Sequence, residues 1–269
     1  MSSEEPTRIA TQSPADANLP VFRQVPFGRG WTWISEGYDI VKLGFGTWIG
    51  MIATYFLIVL LVSFIPLLNL ILFMAGPVFS AGFMVAAHKA KQDGKVSFAD
   101  MFAGFQTRTV PLVLLSLVYV GCYIGLMVVM VVLMYALGGP ELMSVFNGTD
   151  ATPVAGPEIG LRMLIVLLVV LALTVPLAMA TWFAPALVIL RNLGPWQAFS
   201  LSFRACLANI GPFLWYGIIL ALLGFAATLP FALGWLILAP VLVASMYAGY
   251  ADIFSDAKPP SSPHGITPV

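Results

Sequence analysis

Long apolar runs separated by short polar islands make up most of the chain. Asp, Glu, Lys, Arg and His are absent between Lys42 and His88, Arg108 and Glu141, Arg162 and Arg191, and Arg204 and Asp252. A helix needs about 20 mostly apolar residues to cross the hydrocarbon core of a membrane. The first and last of these stretches have room for two such helices and the middle two for one. The pattern therefore predicts six transmembrane spans, at residues 47–66, 69–88, 110–136, 162–190, 212–229 and 235–251.

The basic residues are distributed unequally between the two sides that these spans define. The segments on the side of the termini hold Arg8, Arg23, Arg29, Lys42, Lys89, Lys91, Lys95, Arg108, Arg191, Arg204 and Lys258, and the opposite side holds only Arg162. Lys and Arg near span ends favour the cytoplasmic side. The sequence therefore predicts that both termini are cytoplasmic and that the loop at residues 138–160 is external.

A second pattern, with apolar residues three and four apart, precedes each span that leaves the cytoplasm. It is formed by three sets of residues: Trp31, Ile34, Tyr38, Val41 and Phe45; Phe98, Met101, Phe102 and Phe105; Trp196, Phe199, Phe203, Cys206 and Ile210. This spacing is typical of amphipathic helices. Aromatic rings such as those of Trp33 favour the headgroup boundary, so we expect these helices to lie flat on the inner leaflet. The alternative is that they fold back onto the bundle as structural collars.

The amphipathic helix, the outgoing span and the returning span form a unit that occurs three times. Each returning span carries an internal proline, at Pro77, Pro185 and Pro240. Proline removes an N–H group and displaces a carbonyl, so each span should kink. The kinks either serve packing alone or surround a central cavity or gate. The predicted fold is an all-α integral membrane protein with six transmembrane helices as three parallel two-span repeats, each preceded by a cytoplasmic interfacial amphipathic helix.

The composition of the chain also indicates a membrane protein. Of the 269 residues, 60% are apolar and 9% are charged, against about 25% charged residues in soluble proteins. Twelve basic residues balance twelve acidic ones, so no nucleic-acid partner is expected. We predict a disordered N-terminal tail at residues 1–27, a six-span membrane domain at 28–252 and a disordered C-terminal tail at 253–269.

Several short motifs resemble those of a known family. They are Gly28-Arg29-Gly30-Trp31-Thr32-Trp33, Gly76-Pro77 with Ala81-Gly82, and Phe98-Ala99-Asp100-Met101-Phe102-Ala103-Gly104-Phe105. Together they resemble a family of uncharacterised six-span bacterial inner-membrane proteins. The resemblance covers most of residues 22–252 and implies a bacterial inner membrane and no established activity. More remotely, the plan is similar to the membrane-anchor domain of glycerophosphoryl diester phosphodiesterases.

The sequence offers no convincing constellation for chemistry. His88 lies beside Lys89, where we expect it to reach the interface, and His264 lies in the C-terminal tail. Neither has the Cys or Glu neighbours of a zinc site, and Cys122 and Cys206 are best explained as small packing residues. We therefore predict no catalytic residues, no metal, no cofactor and no enzymatic activity.

Three functions remain open from the sequence. The first is a non-enzymatic assembly or regulatory component of the cell envelope, and the second is a channel or transporter for a small neutral or lipid-like solute. An intramembrane enzyme ranks third. The expected partners are membrane lipids, and other membrane proteins or a second copy of the chain. Small-residue pairs allow close helix packing, either within the bundle or between two copies of the chain, at Gly46 and Gly50, Gly121 and Gly125, and Ala244 and Ala248. A lipid-lined cavity beside the proline kinks would favour the second function, and a solid apolar bundle the first.

Overall fold

The protein is described here by a computed structural model. It covers residues 22–146, 157–229 and 233–254, with their side chains except at 66–67, 138–146 and 157–159. Most of the predicted tails, much of the predicted external loop and residues 230–232 lie outside the described residues. Ten α-helices are present in the described ranges: α1 (Arg29–Lys42), α2 (Phe45–Ser63), α3 (Pro66–Asp93), α4 (Ala103–Gln106), α5 (Thr109–Phe146), α6 (Pro157–Trp182), α7 (Ala184–Arg191), α8 (Pro195–Ala208), α9 (Ile210–Thr228) and α10 (Trp235–Ile253). A 3₁₀ helix at Phe98–Phe102 precedes α4, and these ranges contain no strand.

Six membrane-capable segments are present, as the apolar pattern predicts. Among the described residues, helical segments at Phe45–Ser63, Leu68–Asp93, Thr109–Leu137, Gly160–Arg191, Ile210–Thr228 and Trp235–Ile253 are long and apolar enough to cross a membrane. The fourth combines α6 and α7, which are separated at Phe183, two residues before Pro185. The break confirms the predicted kink in this span. At 1.5 Å per residue, the 38 residues of α5 span roughly 57 Å, well beyond the hydrocarbon thickness of about 30 Å.

The apolar core is concentrated at one end of the bundle. This end carries Arg29, Lys89, Asp100, Arg191 and Asp252, and we call it the charged end. Fully buried large side chains there include Trp33, Trp48, Met101, Phe183 and Phe254. In the most apolar 18-residue stretch of each span, 50% is buried in α3 and 61% in α10, against 6% in α5 and 11% in the α6–α7 span. The helices are therefore packed tightly at the charged end, while α5 and α6 present most of their surface outward.

Helix α1 folds back onto the bundle and packs between α9 and α10. Its buried face combines large apolar side chains such as Trp33 and Val41 with two glycines. A Cβ atom on Gly30 would lie 2.7 Å from the Pro212 carbonyl oxygen, and one on Gly37 would lie 2.6 Å from the Ser245 nitrogen. The two glycines therefore allow the helix backbones to approach closely. At this helix the structure has the collar arrangement that was the alternative in the sequence analysis.

The second amphipathic segment differs from the predicted continuous helix. Residues 98–102 form the 3₁₀ helix and only Ala103–Gln106 are α-helical. A capping box starts the segment, since the Ser97 side chain accepts from the Ala99 N–H and the Asp100 carboxylate accepts from the Ser97 N–H. Asp100 falls between the apolar positions of the predicted stripe, Phe98, Met101, Phe102 and Phe105, so a helical period places it on the opposite, polar side, yet it is only 5% exposed. The tight 3₁₀ turn brings both Asp100 and Met101 inward, and this is why the helical period misassigned Asp100.

Residues 22–28, which include the end of the predicted N-terminal tail, are held to the bundle by hydrogen bonds. The Arg23 N–H donates to the Ile253 carbonyl oxygen at 2.9 Å. The Val25 N–H donates to Asn209 Oδ1 at 2.8 Å, and Asn209 Nδ2 donates to the Arg23 carbonyl oxygen at 3.1 Å. Asn209 is 1% exposed. The buried Asn209 amide therefore holds the backbone of Arg23 and Val25 at the start of α9. The hydrogen bond from Arg23 to Ile253 holds the same segment at the end of α10.

Candidate functional site

A cavity of about 500 Å³ lies among α2, α3, α5, α6, α7 and α10. Its wall contains two of the three prolines that the sequence singled out, Pro77 and Pro185, and we call it the kink cavity. The rest of the wall consists of Tyr55, Val59, Asn69, Leu72, Phe73, Gly76, Ser80, Tyr119, Tyr123, Thr181, Trp182 and Met246. Pro240, the third proline, is not in this wall. The cavity lies within the 300–1,000 Å³ range of small-molecule sites.

Two further hollows continue from the kink cavity toward the outside of the bundle. A side pocket of about 300 Å³ shares Tyr55, Gly76, Ser80 and Met246 with the kink cavity. A lateral groove of about 500 Å³ shares Ile52, Phe56 and Trp235 with the side pocket. The groove lies between α2 and α10. The three hollows thus form a series from the kinks to the side of the bundle.

The lining of these hollows is apolar and uncharged. None of the described residues that line them is Asp, Glu, Lys, Arg or His. The polar groups are the phenols of Tyr55 and Tyr123, the Asn69 amide and the Ser80 hydroxyl, together with Tyr119 and Thr181. Such groups can orient a neutral hydrogen-bonding ligand but provide no acid–base pair that is ionised near neutral pH. The arrangement is suited to binding an apolar molecule with a neutral polar group.

Hydroxyl groups satisfy the backbone where the span of α6 and α7 is interrupted, whereas α3 and α10 continue through Pro77 and Pro240. At the α6–α7 break, Ser202 Oγ accepts from the Phe183 N–H at 3.0 Å and donates to the Met179 carbonyl oxygen at 2.7 Å. Tyr119 Oη donates at 3.0 Å to the carbonyl oxygen of Thr181, which lies four residues before Pro185. Interhelical hydroxyls take the place of helical N–H groups, as a broken helix in lipid requires. The kink at this wall of the cavity is therefore held by side chains of α5 and α8.

A buried carboxylate organises the charged end. Asp252 near the end of α10 has a side chain only 3% exposed. Its Oδ2 accepts from Arg29 Nε at 2.6 Å and from Trp33 Nε1 at 2.8 Å, and its Oδ1 accepts from an Arg23 guanidinium N–H. Arg23 Nε also donates to the Asp252 backbone oxygen at 2.7 Å. The carboxylate thus joins the N-terminal segment and α1 to the end of α10.

The ion pairs extend from this carboxylate to α3. An Arg29 N–H donates to Glu36 at 3.2 Å, and Lys91 Nζ donates to the other Glu36 oxygen at 2.9 Å. Partial burial acts most strongly on the pKa of Arg29 and lowers it, but the hydrogen bonds and charges of Asp252 and Glu36 together outweigh burial and raise the pKa above its usual value. Arg29 is thus permanently charged and holds Asp252 and Glu36 on either side.

Two more polar contacts connect α3 to its neighbours. Lys89 Nζ lies 2.6 Å from Asp100 Oδ1, which joins α3 to the 3₁₀ helix. His88 Nδ1 lies 2.9 Å from Tyr247 Oη on α10. The half-buried His88 ring thus contacts α10, and its position at the membrane interface stays a prediction. Within the described residues, no group of three or more His, Cys, Asp or Glu side chains is positioned to hold a metal ion.

The aromatic residues predicted at the membrane surface separate into two groups. Trp31 and Trp196 are 55% and 65% exposed, and Phe98 is 43% exposed. Trp33, by contrast, is 1% exposed and contacts the rings of Phe213 and Tyr216. The prediction that the Trp33 ring lies at the membrane surface is wrong, because the ring is buried and its indole N–H donates to the buried Asp252 carboxylate.

The sequence analysis missed Asp252 because it was placed at the boundary of a predicted tail. The cavity residues were missed for another reason, since Tyr55, Tyr123 and Ser80 are isolated polar residues in otherwise apolar spans and carry no motif. A signal was present in both cases, because an isolated polar group in a span requires a partner or a cavity. The partners lie up to 229 residues away in the chain, so only the fold identifies them.

Comparison with known proteins gives one clear similarity. The probable inner membrane protein BTH_II0599 of Burkholderia thailandensis is 30% identical over 234 residues, which cover 84% of this chain and 83% of that protein. No protein-family model matches the chain, and no solved structure matches it significantly. The relative's name and the six apolar helices agree that this is a membrane protein. The remote likeness to glycerophosphoryl diester phosphodiesterases has no support here and stays a prediction.

Proposed function

Since the chain belongs to the family of inner-membrane proteins that includes the Burkholderia thailandensis protein, we propose that it is a multi-pass protein of the bacterial inner membrane that binds a lipid-like molecule and performs no chemistry on it. The observation that carries this proposal is the uncharged kink cavity beside Pro77 and Pro185. The sequence analysis named a cavity beside the proline kinks as a feature that favours a channel or transporter, and binding of the solute is the first step of either.

Both termini are cytoplasmic in this proposal. Eleven of the twelve basic residues lie on the side of the termini, and the described ones among them include Arg23, Arg29 and Lys91 at the charged end. Positive residues favour the cytoplasmic side. The charged end then faces the cytoplasm, and the less tightly packed end with the exposed α5 and α6 faces outward.

The proposal includes the three parallel repeats, which the order of helix contacts supports. The amphipathic segment of each unit packs against the spans of the preceding unit: α1 against α9 and α10, the 3₁₀ helix and α4 against α3, and α8 against α5 and α6. The order is cyclic, because the first unit docks on the third. Gly82 is an example, since a Cβ atom there would lie 2.0 Å from the Met101 carbonyl oxygen of the 3₁₀ helix.

An interfacial position for the amphipathic helices follows from their two unlike faces. The face toward the bundle is buried and includes small residues that allow close contact, such as Gly37 of α1 and Ala198 and Ala205 of α8. The predicted aromatic stripe points away, with Trp31 and Trp196 mostly exposed. Exposed indole rings next to a membrane bundle favour the headgroup layer. In this arrangement the same helices are both collars and membrane-surface helices.

A second candidate function is assembly with other envelope proteins or a second copy of the chain. It is favoured by the exposed acidic and basic side chains on α1, since Asp39 and Lys42 are 67% and 54% exposed. They are turned away from the buried face of the helix and are available to a cytoplasmic partner. Purification of the intact chain in mild detergent, followed by mass spectrometry of copurified proteins, would detect such partners.

Filling the kink cavity tests the binding function. Ser80 lines both the kink cavity and the side pocket, so Ser80→Phe places a ring in the space that the ligand would occupy. Ser80→Ala is the matched control because it removes the hydroxyl without filling the space. Each protein is purified in nanodiscs, and its bound lipids are measured by native mass spectrometry.

We expect a stoichiometric lipid on the unmodified protein and on Ser80→Ala, and its loss from Ser80→Phe. Gly121→Leu adds bulk at an exposed position of α5 with no heavy atom within 4 Å of the new Cβ, so it should retain the lipid. Equal lipid content in all four proteins would overturn the proposal.

A further inference from the structure

We infer that the ligand of the kink cavity is a single-chain amphiphile with an uncharged polar end, which enters sideways from the bilayer between α2 and α10. This inference rests on the proposed function. It adds a route and a ligand class to it.

The route is the series of three hollows. Phe56 and Trp235 form the boundary that the lateral groove and the side pocket share, and Tyr55 and Gly76 belong to both the side pocket and the kink cavity. No heavy atom lies within 4 Å of the position that a Cβ of Gly76 would occupy. The backbone of α3 is therefore bare where the two inner hollows meet, and a flexible chain can pass there.

The groove opens toward hydrocarbon rather than water. Leu57 and Leu60 of α2 and Leu236 of α10 are 53%, 56% and 53% exposed, and all three line the groove. Exposed leucines on spans of this length face acyl chains. A molecule dissolved in the bilayer thus reaches the groove without crossing a polar layer.

The charged end offers no comparable entrance. Trp33, Trp48 and Phe254 are at most 1% exposed there, and Asp252 joins the N-terminal segment to α10. A water-soluble ligand from that side would have to displace a packed core and a buried ion pair. Of these two sides, the lateral groove is therefore the accessible one.

The polar groups of the kink cavity determine which polar head group the ligand can carry. Asn69 lies near the start of α3 and Ser80 lies eleven residues later, so the lining extends along α3 for roughly 16 Å. Asn69 and Tyr123 can hydrogen-bond a hydroxyl, an ester or an amide. No described lining residue can pair with a charge, and an unpaired charge in such surroundings is strongly disfavoured. An elongated apolar ligand with a neutral head is the class that fits.

Photo-crosslinking in nanodiscs tests the route and the ligand class together. The probes are a monoacylglycerol and a fatty acid anion of equal chain length, each with a diazirine on the chain, and crosslinks are mapped by peptide mass spectrometry. Ala53 lines the lateral groove, so Ala53→Trp narrows the entrance. Ala221→Trp is the matched control because Ala221 is exposed on α9 and lines none of the three hollows.

We expect saturable monoacylglycerol crosslinks to kink-cavity peptides in the unmodified protein and in Ala221→Trp. In Ala53→Trp they should form several-fold more slowly after probe addition but reach the same final level. Crosslinking of the anion should be at least about tenfold weaker, since an unpaired charge costs more than tenfold in affinity.

The alternative outcomes separate the claims. Unchanged kinetics in Ala53→Trp, with cavity crosslinks intact, would overturn the lateral route and leave the proposed function standing. Equal crosslinking by the anion would overturn the neutral-head requirement. Absence of saturable cavity crosslinks with both probes would refute the proposed function itself.

Discussion

Replacement of Asp252 by Ala removes the acceptor that joins α10 to the N-terminal segment and α1. Hydrogen bonds to a charged group contribute about 1.5–3 kcal/mol each when sheltered from water. Arg23 and Arg29, however, have side chains that are 45% and 32% exposed. Water can therefore replace much of what Asp252 contributes to them, and each ion pair stabilises the fold by about 0–1 kcal/mol. Trp33 is 1% exposed, and its unsatisfied indole N–H would cost about 1–3 kcal/mol. We therefore expect a loss of about 2–4 kcal/mol in the free energy of unfolding.

Reversible unfolding in mixed micelles with increasing SDS fraction measures this loss. Asp39→Ala is the matched control, because Asp39 is 67% exposed and pairs with Lys42 on the helix surface. Its replacement should change stability by less than about 1 kcal/mol. Trp33→Phe with Asp252→Ala completes a double-mutant cycle, in which the two losses should be clearly non-additive because the residues share a bond. Equal stabilities of Asp252→Ala and Asp39→Ala would refute the reasoning.

Three further predictions concern packing, the helix break and topology. Gly37→Ala should destabilise the protein by about 1–3 kcal/mol in the same assay, because its methyl group would collide with the backbone of α10. Gly217→Ala is the control and should be neutral or slightly stabilising, because its methyl group would enter open space. Ser202→Ala leaves an N–H and a carbonyl at the α6–α7 break without their partner, so we expect a loss of about 1–3 kcal/mol; an unchanged unfolding midpoint would contradict this account of the break. In intact cells a membrane-impermeant thiol reagent should label Gly148→Cys and spare Asp93→Cys, in a chain without its two natural cysteines, and the reverse pattern would invert the topology.

The spans were predictable because the signal is local. A run of apolar residues uninterrupted by charge has few alternatives to a membrane helix, and the six predicted ranges agree with the helices to within a few residues, apart from longer extensions at the ends of α3, α5 and α6. The α6–α7 break was also predictable, since Pro185 acts on the carbonyl of its own chain four residues back. The exact position of the break depends on Ser202, which no local pattern reveals.

The docking face of α1 was predictable from periodicity only in part. The predicted stripe includes Ile34 and Val41, which are buried, but also Trp31 and Tyr38, which are 55% and 47% exposed. The bundle also contacts Gly30 and Gly37, where the absence of side chains allows close approach. Hydropathy gives weight to large apolar groups and little to glycine, so it does not reveal these two close helix–helix contacts.

The cyclic order of contacts places the first helix of the chain against the last two, and this has a consequence for biosynthesis. Trp33 reaches its acceptor 219 residues later in the chain, and at about 5–20 residues per second the ribosome needs roughly 10–45 s to add those residues. During that time α1 and the glycine face that fits α10 have no native partner. Insertion of the spans can proceed in order along the chain, but the contacts of α1 with α10 form only after α10 has been synthesised. A nascent chain that stalls before Asp252 therefore leaves this docking surface of α1 exposed at the charged end.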